Sequence, residues 1–232
     1  MSDIATSSAQ PSKPAKARGR PRAFDREAAL ASATRLFWQK GYDATSISDL
    51  TEAMGIGSPS LYATFVSKEN LYTEALQYYR DKHESIVFER FLAASSARES
   101  VACFLHDTAV GLTSGLIATP YGCMVALSSV ASDGHEQLAE RMRAARSATF
   151  DKLKARLAQA QTSGEIAPDV DTHALARFIQ GVQAGMSILA RDGASRAELL
   201  NVAEVAMLGW DVHAARPAAT QGAGPNVAGP EN

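Results

Sequence analysis

The stretch GIGSPSLYATFVSKENLY, Gly55 to Tyr72, places hydroxyl groups on Ser58, Ser60, Tyr62 and Thr64 in quick succession. A hydroxyl both donates and accepts hydrogen bonds, so such a row on one helical face suits phosphate oxygens and base edges in a DNA major groove. Pro59 fits N1 of a helix beginning at Ser58, where its missing N–H costs nothing, and the free N–H groups of that helix end attract phosphate. Leu61 and Phe65, four residues apart, form the only inward anchor. A helix over 58–65 therefore contributes little to a core and presents its other face.

Other chemistries find few carriers. The chain holds no Gly-x-Ser-x-Gly elbow, no phosphate loop and no recognisable pair of carboxylates, so nothing points to an enzyme or to a cofactor. His83, His106, His135, His173 and His213 are scattered without metal-ligand spacing, and no metal is implied. Cys103 and Cys123 match neither a zinc site nor a disulfide framework. Cys123, just after Pro120-Tyr121-Gly122, reads two ways: an inert small hydrophobe, or a thiol activated in the first turn of a helix and open to redox or electrophile sensing.

The elements that position the hydroxyl row all read as helices, with no period-2 alternation to suggest strands, so the fold class is all-α. A first helix begins at Asp25, carries Leu30, Ala33 and Phe37 inward and stops at Gly41. A second starts near Ser46, with Asp49 three residues on as in a capping box, and sets Ile47, Leu50 and Met54 on one face. Gly55-Ile56-Gly57 turns the chain into the helix over 58–65, which completes a helix-turn-helix. A fourth starts after Ser67, buries Leu71, Ala75 and Tyr78 and continues to Leu92. Further helices are expected near 97–114, 122–131, 134–162, 171–191 and 196–210, three of them opened by Ser96-x-x-Glu99, Asp133-x-x-Glu136 and Ser195-x-x-Glu198.

Residues 1–23, rich in Ser, Ala, Pro and Lys, read as a disordered basic arm, and 213–232 as a disordered tail. Up to Phe24 five cations oppose Asp3, a balance of +4, which leaves −6 on the rest of a chain whose total is −2. A basic arm on an acidic body suits a local anionic partner. Within the arm Arg18, Arg20 and Arg22 form RGRPR, which reads either as a minor-groove hook for A·T-rich DNA or as a generic basic tail. No apolar run is long enough to span a membrane, the start lacks an apolar leader, and two cysteines suit a reduced interior; the expectation is a cytoplasmic protein with no membrane partner.

From Phe24 to Tyr72 the chain resembles the N-terminal domain of the TetR family of transcriptional regulators. The resemblance is carried by Phe37 and Gly41-Tyr42 closing the first helix, Thr45 opening the second, Gly55 in the turn, then Leu61-Tyr62, Phe65 and Ser67-Lys68-Glu69-x-Leu71. It implies that Thr45, Tyr62 and Lys68 contact phosphates and that Ser58, Pro59, Ser60 and Ala63 face the bases. At Ala63-Thr64 the chain departs from the larger ring-bearing side chains frequent in the family; a small residue there packs against a thymine methyl.

The domains expected are a DNA-binding unit over 24–72 and a larger helical ligand-binding and dimerisation unit over 73–212. In the latter, Gly181, Ala184, Gly185 and Ile188 make a small-residue face, and the last helix shows Val202, Ala206 and Trp210. Packed against their copies, these two helices form a four-helix dimer interface, as the family does; the alternative keeps both faces within one core. Phe88, Phe104, Met124, Leu127, Phe150 and Phe178 are candidates for a pocket or for ordinary core. The function expected is a homodimeric repressor on a palindromic double-stranded DNA operator, released by a small-molecule effector. The alternatives are a nucleoid-associated or interaction protein of the same fold and a redox-sensing regulator using Cys123.

Overall fold

The computed structural model describes residues 24–114, 121–128 and 134–214, so the arm with Arg18, Arg20 and Arg22 and the tail beyond Ala214 lie outside the described residues. Among the described residues all regular structure is helical: α1 Arg26–Lys40, α2 Ile47–Met54, α3 Ser58–Phe65, α4 Lys68–Ala93, α5 Ala97–Thr113, α6 Met124–Leu127, α7 Glu136–Ser163, α8 Thr172–Arg191 and α9 Arg196–His213.

Local chemistry sets most of these boundaries. Asp25 caps α1 by accepting from the Ala28 amide, and Ser46 and Asp49 form a reciprocal capping box on α2. The Asp49 carboxylate is held down at about 2 by the Ser46 backbone N–H and by Lys40 of α1, 3.0 Å away. Gly55, at φ 66°, closes α2 in the left-handed region. The cap of α3 is Gly57, so Ser58 and Pro59 both lie inside the first turn and the Ser58 hydroxyl makes no cap bond. Asp171 and the Ser195–Glu198 pair cap α8 and α9. Helix α7 starts on His135 without a side-chain cap, while Asp133, the expected signal, lies outside the described residues. Helix α6 is four residues long rather than the ten expected over 122–131.

Two hydrophobic clusters result. One joins Leu30, Phe37, Leu50, Leu61 and Phe65 of α1–α3 to Leu71, Tyr72 and Tyr79 of α4, and also takes in Met124, Leu138 and Met142 from further along the chain. The other packs Phe88 and Phe91 of α4 with α5, α7, α8 and α9. The expected boundary between Tyr72 and Thr73 falls inside one uninterrupted helix. In α4 it is Tyr79 that turns inward, while Tyr78 is half-buried.

The turn between α3 and α4 is unusual. Val66 adopts φ 67°, ψ −51°, and the Ser67 amide donates to the Phe65 carbonyl at 2.7 Å across it. This is a γ-turn of positive φ, strained for any side chain and most for a β-branched one. It stops α3 after eight residues and lets Ser67 cap α4 at once. Val66 is exposed and loses little packing if removed. Val66→Gly should raise stability by roughly 0.5–2 kcal/mol, strain relief outweighing the added unfolded-state entropy. Denaturant unfolding checks this, and a destabilised variant would contradict the strain.

Candidate DNA-binding face and ligand cavity

Leu61 and Phe65 are buried and hold α3 against α4, where the Arg26 guanidinium also lies 4.7 Å over the Phe65 ring. Ser58, Pro59, Ser60, Tyr62 and Ala63 are exposed together on its outer side, and Thr64 is half-buried. Tyr62 is an exposed aromatic with its hydroxyl uncommitted among the described residues. Lys68, at the start of α4, rests its ammonium 4.2 Å over the Tyr42 ring, and burial lowers its pKa from the usual lysine value. Beneath it Tyr42 is pushed up to about 12, by burial first and then by Glu69 and Asp43. Thr45 departs from the expectation of a phosphate contact. It is buried, and its hydroxyl donates to the Gly41 carbonyl at 2.6 Å, so it fastens the α1–α2 turn.

A cavity of about 520 Å³ opens between α4, α5, α6, α7 and α8, with Trp38 of α1 in its wall. Phe88 and Phe104 form its apolar floor, their rings 5.4 Å apart. The other four candidates lie elsewhere. Met124 is fully buried in the cluster of the DNA-binding unit, and the side chain of Leu127 packs toward Gly122. Phe150 sits under the Arg177 guanidinium at 3.6 Å, and Phe178 is 49% exposed on the outer face of α8.

The sequence reading missed the polar wall. Tyr79, Arg80, His83 and Glu84 of α4, Arg146 of α7 and Arg177 of α8 all line the cavity. In a single sequence these charges look like solvated helix faces. Burial lowers the pKa of His83, so its ring is neutral at pH 7, and it stacks on Tyr79 at 4.5 Å. Burial raises the Tyr79 pKa well above the usual value, with Cys123 next in effect beside it. Cys123 is half-buried in the cavity wall and caps a helix of only four residues. Its neighbour Gly122 sits at φ 85°, where a Cβ would meet the Ser187 carbonyl oxygen at 2.7 Å, which pins this loop to α8.

Helices α8 and α9 also rearrange the expected interface. Trp210 and Ala206 are buried in the chain's own core, Val202 packs half-buried against it, and Ala184 belongs to the cavity wall. Gly181, like Ala184, borders the cavity, while the outer face carries Phe178, Gly185 and Ile188 on α8 and Val205, Leu208 and Val212 on α9. Both helices are apolar on two sides, so the sequence pattern did not distinguish the inward row from the outward one.

Residues 29–75 match the family model described as bacterial regulatory proteins, tetR family, and residues 106–203 match that of the tetracyclin repressor-like C-terminal domain. The HTH-type transcriptional repressor ComR of Escherichia coli K12 is 39% identical over 212 residues, 89% of this chain and 98% of ComR. The repressor BdcR of the same organism is 46% identical over 67 residues, 29% of this chain and 34% of BdcR. Among solved structures, a cysteine mutant of the TetR family transcriptional regulator CifR, complexed with 26 bp double-strand operator DNA, is similar at 39% identity and a TM-score of 0.76, covering 83% of this chain and 100% of CifR. The three-helix unit with its displayed α3, the larger helical half and these relatives together establish that the chain belongs to the TetR family of transcriptional regulators.

Proposed function

We propose that the protein is a cytoplasmic, non-enzymatic homodimeric repressor that grips a palindromic operator through α3 and releases it when a small molecule fills the cavity beside α4. The observation that carries this reading is α4 itself, which supplies Leu71 and Tyr72 to the core beneath α3 and Tyr79, His83 and Phe88 to the cavity. A ligand that prefers one tilt of this helix changes the separation of the two recognition helices, and only by its differential affinity for the two states. The operator-bound CifR structures support the DNA-binding part. Footprinting on DNA around the protein's own gene tests the reading; protection confined to a palindrome supports it, and many dispersed sites would favour a nucleoid-associated role.

On this reading Tyr62 and Lys68 touch phosphates, while Ser58, Pro59, Ser60 and Ala63 meet base edges. Tyr62→Phe and Lys68→Ala should weaken all DNA sequences alike, whereas Ser60→Ala should change base preference, each base-edge contact being worth about 1–3 kcal/mol. Binding selections on a randomised operator read both; a Tyr62→Phe protein with altered preference and full affinity would refute the assignment.

The outer face of α8 and α9 is the dimer interface in this account. A Cβ at Gly185 would meet nothing within 4 Å in its own chain, so the position has room in the protomer and Gly185→Leu should chiefly obstruct a second copy. Sedimentation should report a monomer, and operator affinity should fall because half-sites about 34–36 Å apart need two linked recognition helices. A variant that stays dimeric would remove Gly185 from the interface.

A second reading, in which Cys123 carries the signal as a reactive thiol, is favoured by its place in the cavity wall against the Tyr79 hydroxyl. It predicts that N-ethylmaleimide releases the operator from the native protein and not from Cys123→Ser. Release from both proteins would point to Cys103 or to no thiol.

A further inference from the structure

We propose that the cavity takes an amphipathic organic anion, with its apolar body on Phe88 and Phe104 and its charged end in the guanidinium fork of Arg177. This rests on the reading of the chain as a ligand-responsive regulator and adds the chemical class of the ligand.

The argument begins with charge. Four arginines, Arg80, Arg143, Arg146 and Arg177, line the cavity against a single carboxylate, Glu84. Glu84 is already engaged by Arg80 at 3.3 Å and by Lys152. Arg143 pairs with Glu140 outside the wall at 2.6 Å. Arg146 and Arg177 have no carboxylate partner among the described residues: Arg146 donates to the Ser128 carbonyl at 3.1 Å, and Arg177 to the Gln180 side-chain oxygen at 3.0 Å. This excess of positive charge stands out in a chain that carries −6 beyond its basic arm.

Geometry then selects Arg177 as the anchor. Its guanidinium lies over the Phe150 ring at 3.6 Å, and the Gln180 amide that holds it donates in turn to the Arg146 carbonyl at 3.0 Å. The fork is thus fixed against α7 and α8 before any ligand arrives, while most of its N–H donors stay uncommitted. A planar guanidinium held in this way suits the paired oxygens of a carboxylate or phosphate, and little ordering entropy remains to be lost on binding. The floor below it is aromatic and aliphatic, and a volume of about 520 Å³ suits a small organic molecule. A cation would meet like charge, and a neutral ligand would leave the fork unused.

Calorimetry on the full-length protein tests the class with four probes of equal chain length: decanoate, decyl phosphate, methyl decanoate and decylamine. A parallel set on a phenylbutyl body covers the aromatic alternative. At least one anion should bind, with its ester at least tenfold weaker and the amine not at all. Arg177→Gln should cost the anion about ten- to a hundredfold, the loss expected for a charge-assisted fork, and leave the ester within about twofold. Phe150→Leu, which removes the supporting ring and keeps the charge, should give part of the same loss. Failure of every anion to bind, an ester or amine that binds as tightly, or an Arg177→Gln protein with native anion affinity overturns the proposal. Gel shifts on the same samples separate this from the regulator reading. A protein that binds the anion through Arg177 but binds no DNA supports the ligand class and sinks the regulator instead.

Discussion

Helix α4 buries Leu71, Tyr72, Ala75, Leu76 and Tyr79 in the cluster that holds α1 to α3, and Phe88 and Phe91 in the cluster built on α5, α8 and α9. The rest of the architecture depends on that double membership. A helix of 26 residues extends about 39 Å, and it carries no Pro or Gly that would let it hinge. Because packed interiors resist continuous deformation, a displacement at the Phe88 end is passed to the Leu71 end rather than absorbed between them. The cavity opens beside the middle of this rod, from Tyr79 to Phe88, so that a ligand borders both clusters.

Three polar contacts fix how the DNA-binding unit sits on the larger half. The Tyr72 hydroxyl donates to Ser128 at 2.8 Å, Glu69 meets the His135 ring at 2.5 Å, and Arg191 at the end of α8 donates to the Trp38 carbonyl at 3.0 Å. Arg191 also donates to the Tyr121 carbonyl at 2.8 Å, beside the Gly122 turn that leads into the cavity wall. Each contact joins α1 or the start of α4 to a different later element. The arrangement is therefore fixed by several independent points, and a change at one of them alters the balance among the others.

The helical class and most helix ends were legible in the sequence because caps are local chemistry. Asp25, the Ser46–Asp49 box, Gly55, Ser67, Ser96 and Ser195 act on backbone groups within a few residues, so the signal and its effect lie in one window. The outward side of α3 was legible for a similar reason, since Leu61 and Phe65 determine which side of so short a helix turns inward. The cavity was not. Arg80, His83, Arg146 and Arg177 become one site only through the packing of α4, α7 and α8, and each alone looks like a solvated position. Phe178 lies outward and Trp210 inward for a related reason: helices that are apolar on two sides need the third dimension to say which side joins the chain's own core. Nothing in the residue types around Val66 announces a γ-turn there.

That turn also determines how the two working parts of the molecule communicate. Only Val66 and Ser67 separate the last residue of α3 from the first of α4. Val66 closes a hydrogen-bonded three-residue turn, and Ser67 accepts from the Asn70 amide, so neither residue is free to act as a flexible joint. A longer recognition helix would contact more DNA but would need a looser connection to the rod behind it. By ending α3 after two turns in a strained residue, the chain makes the direction of the recognition helix a function of the direction of α4. The short helix leaves its outward face joined by two constrained residues to the rod that walls the cavity.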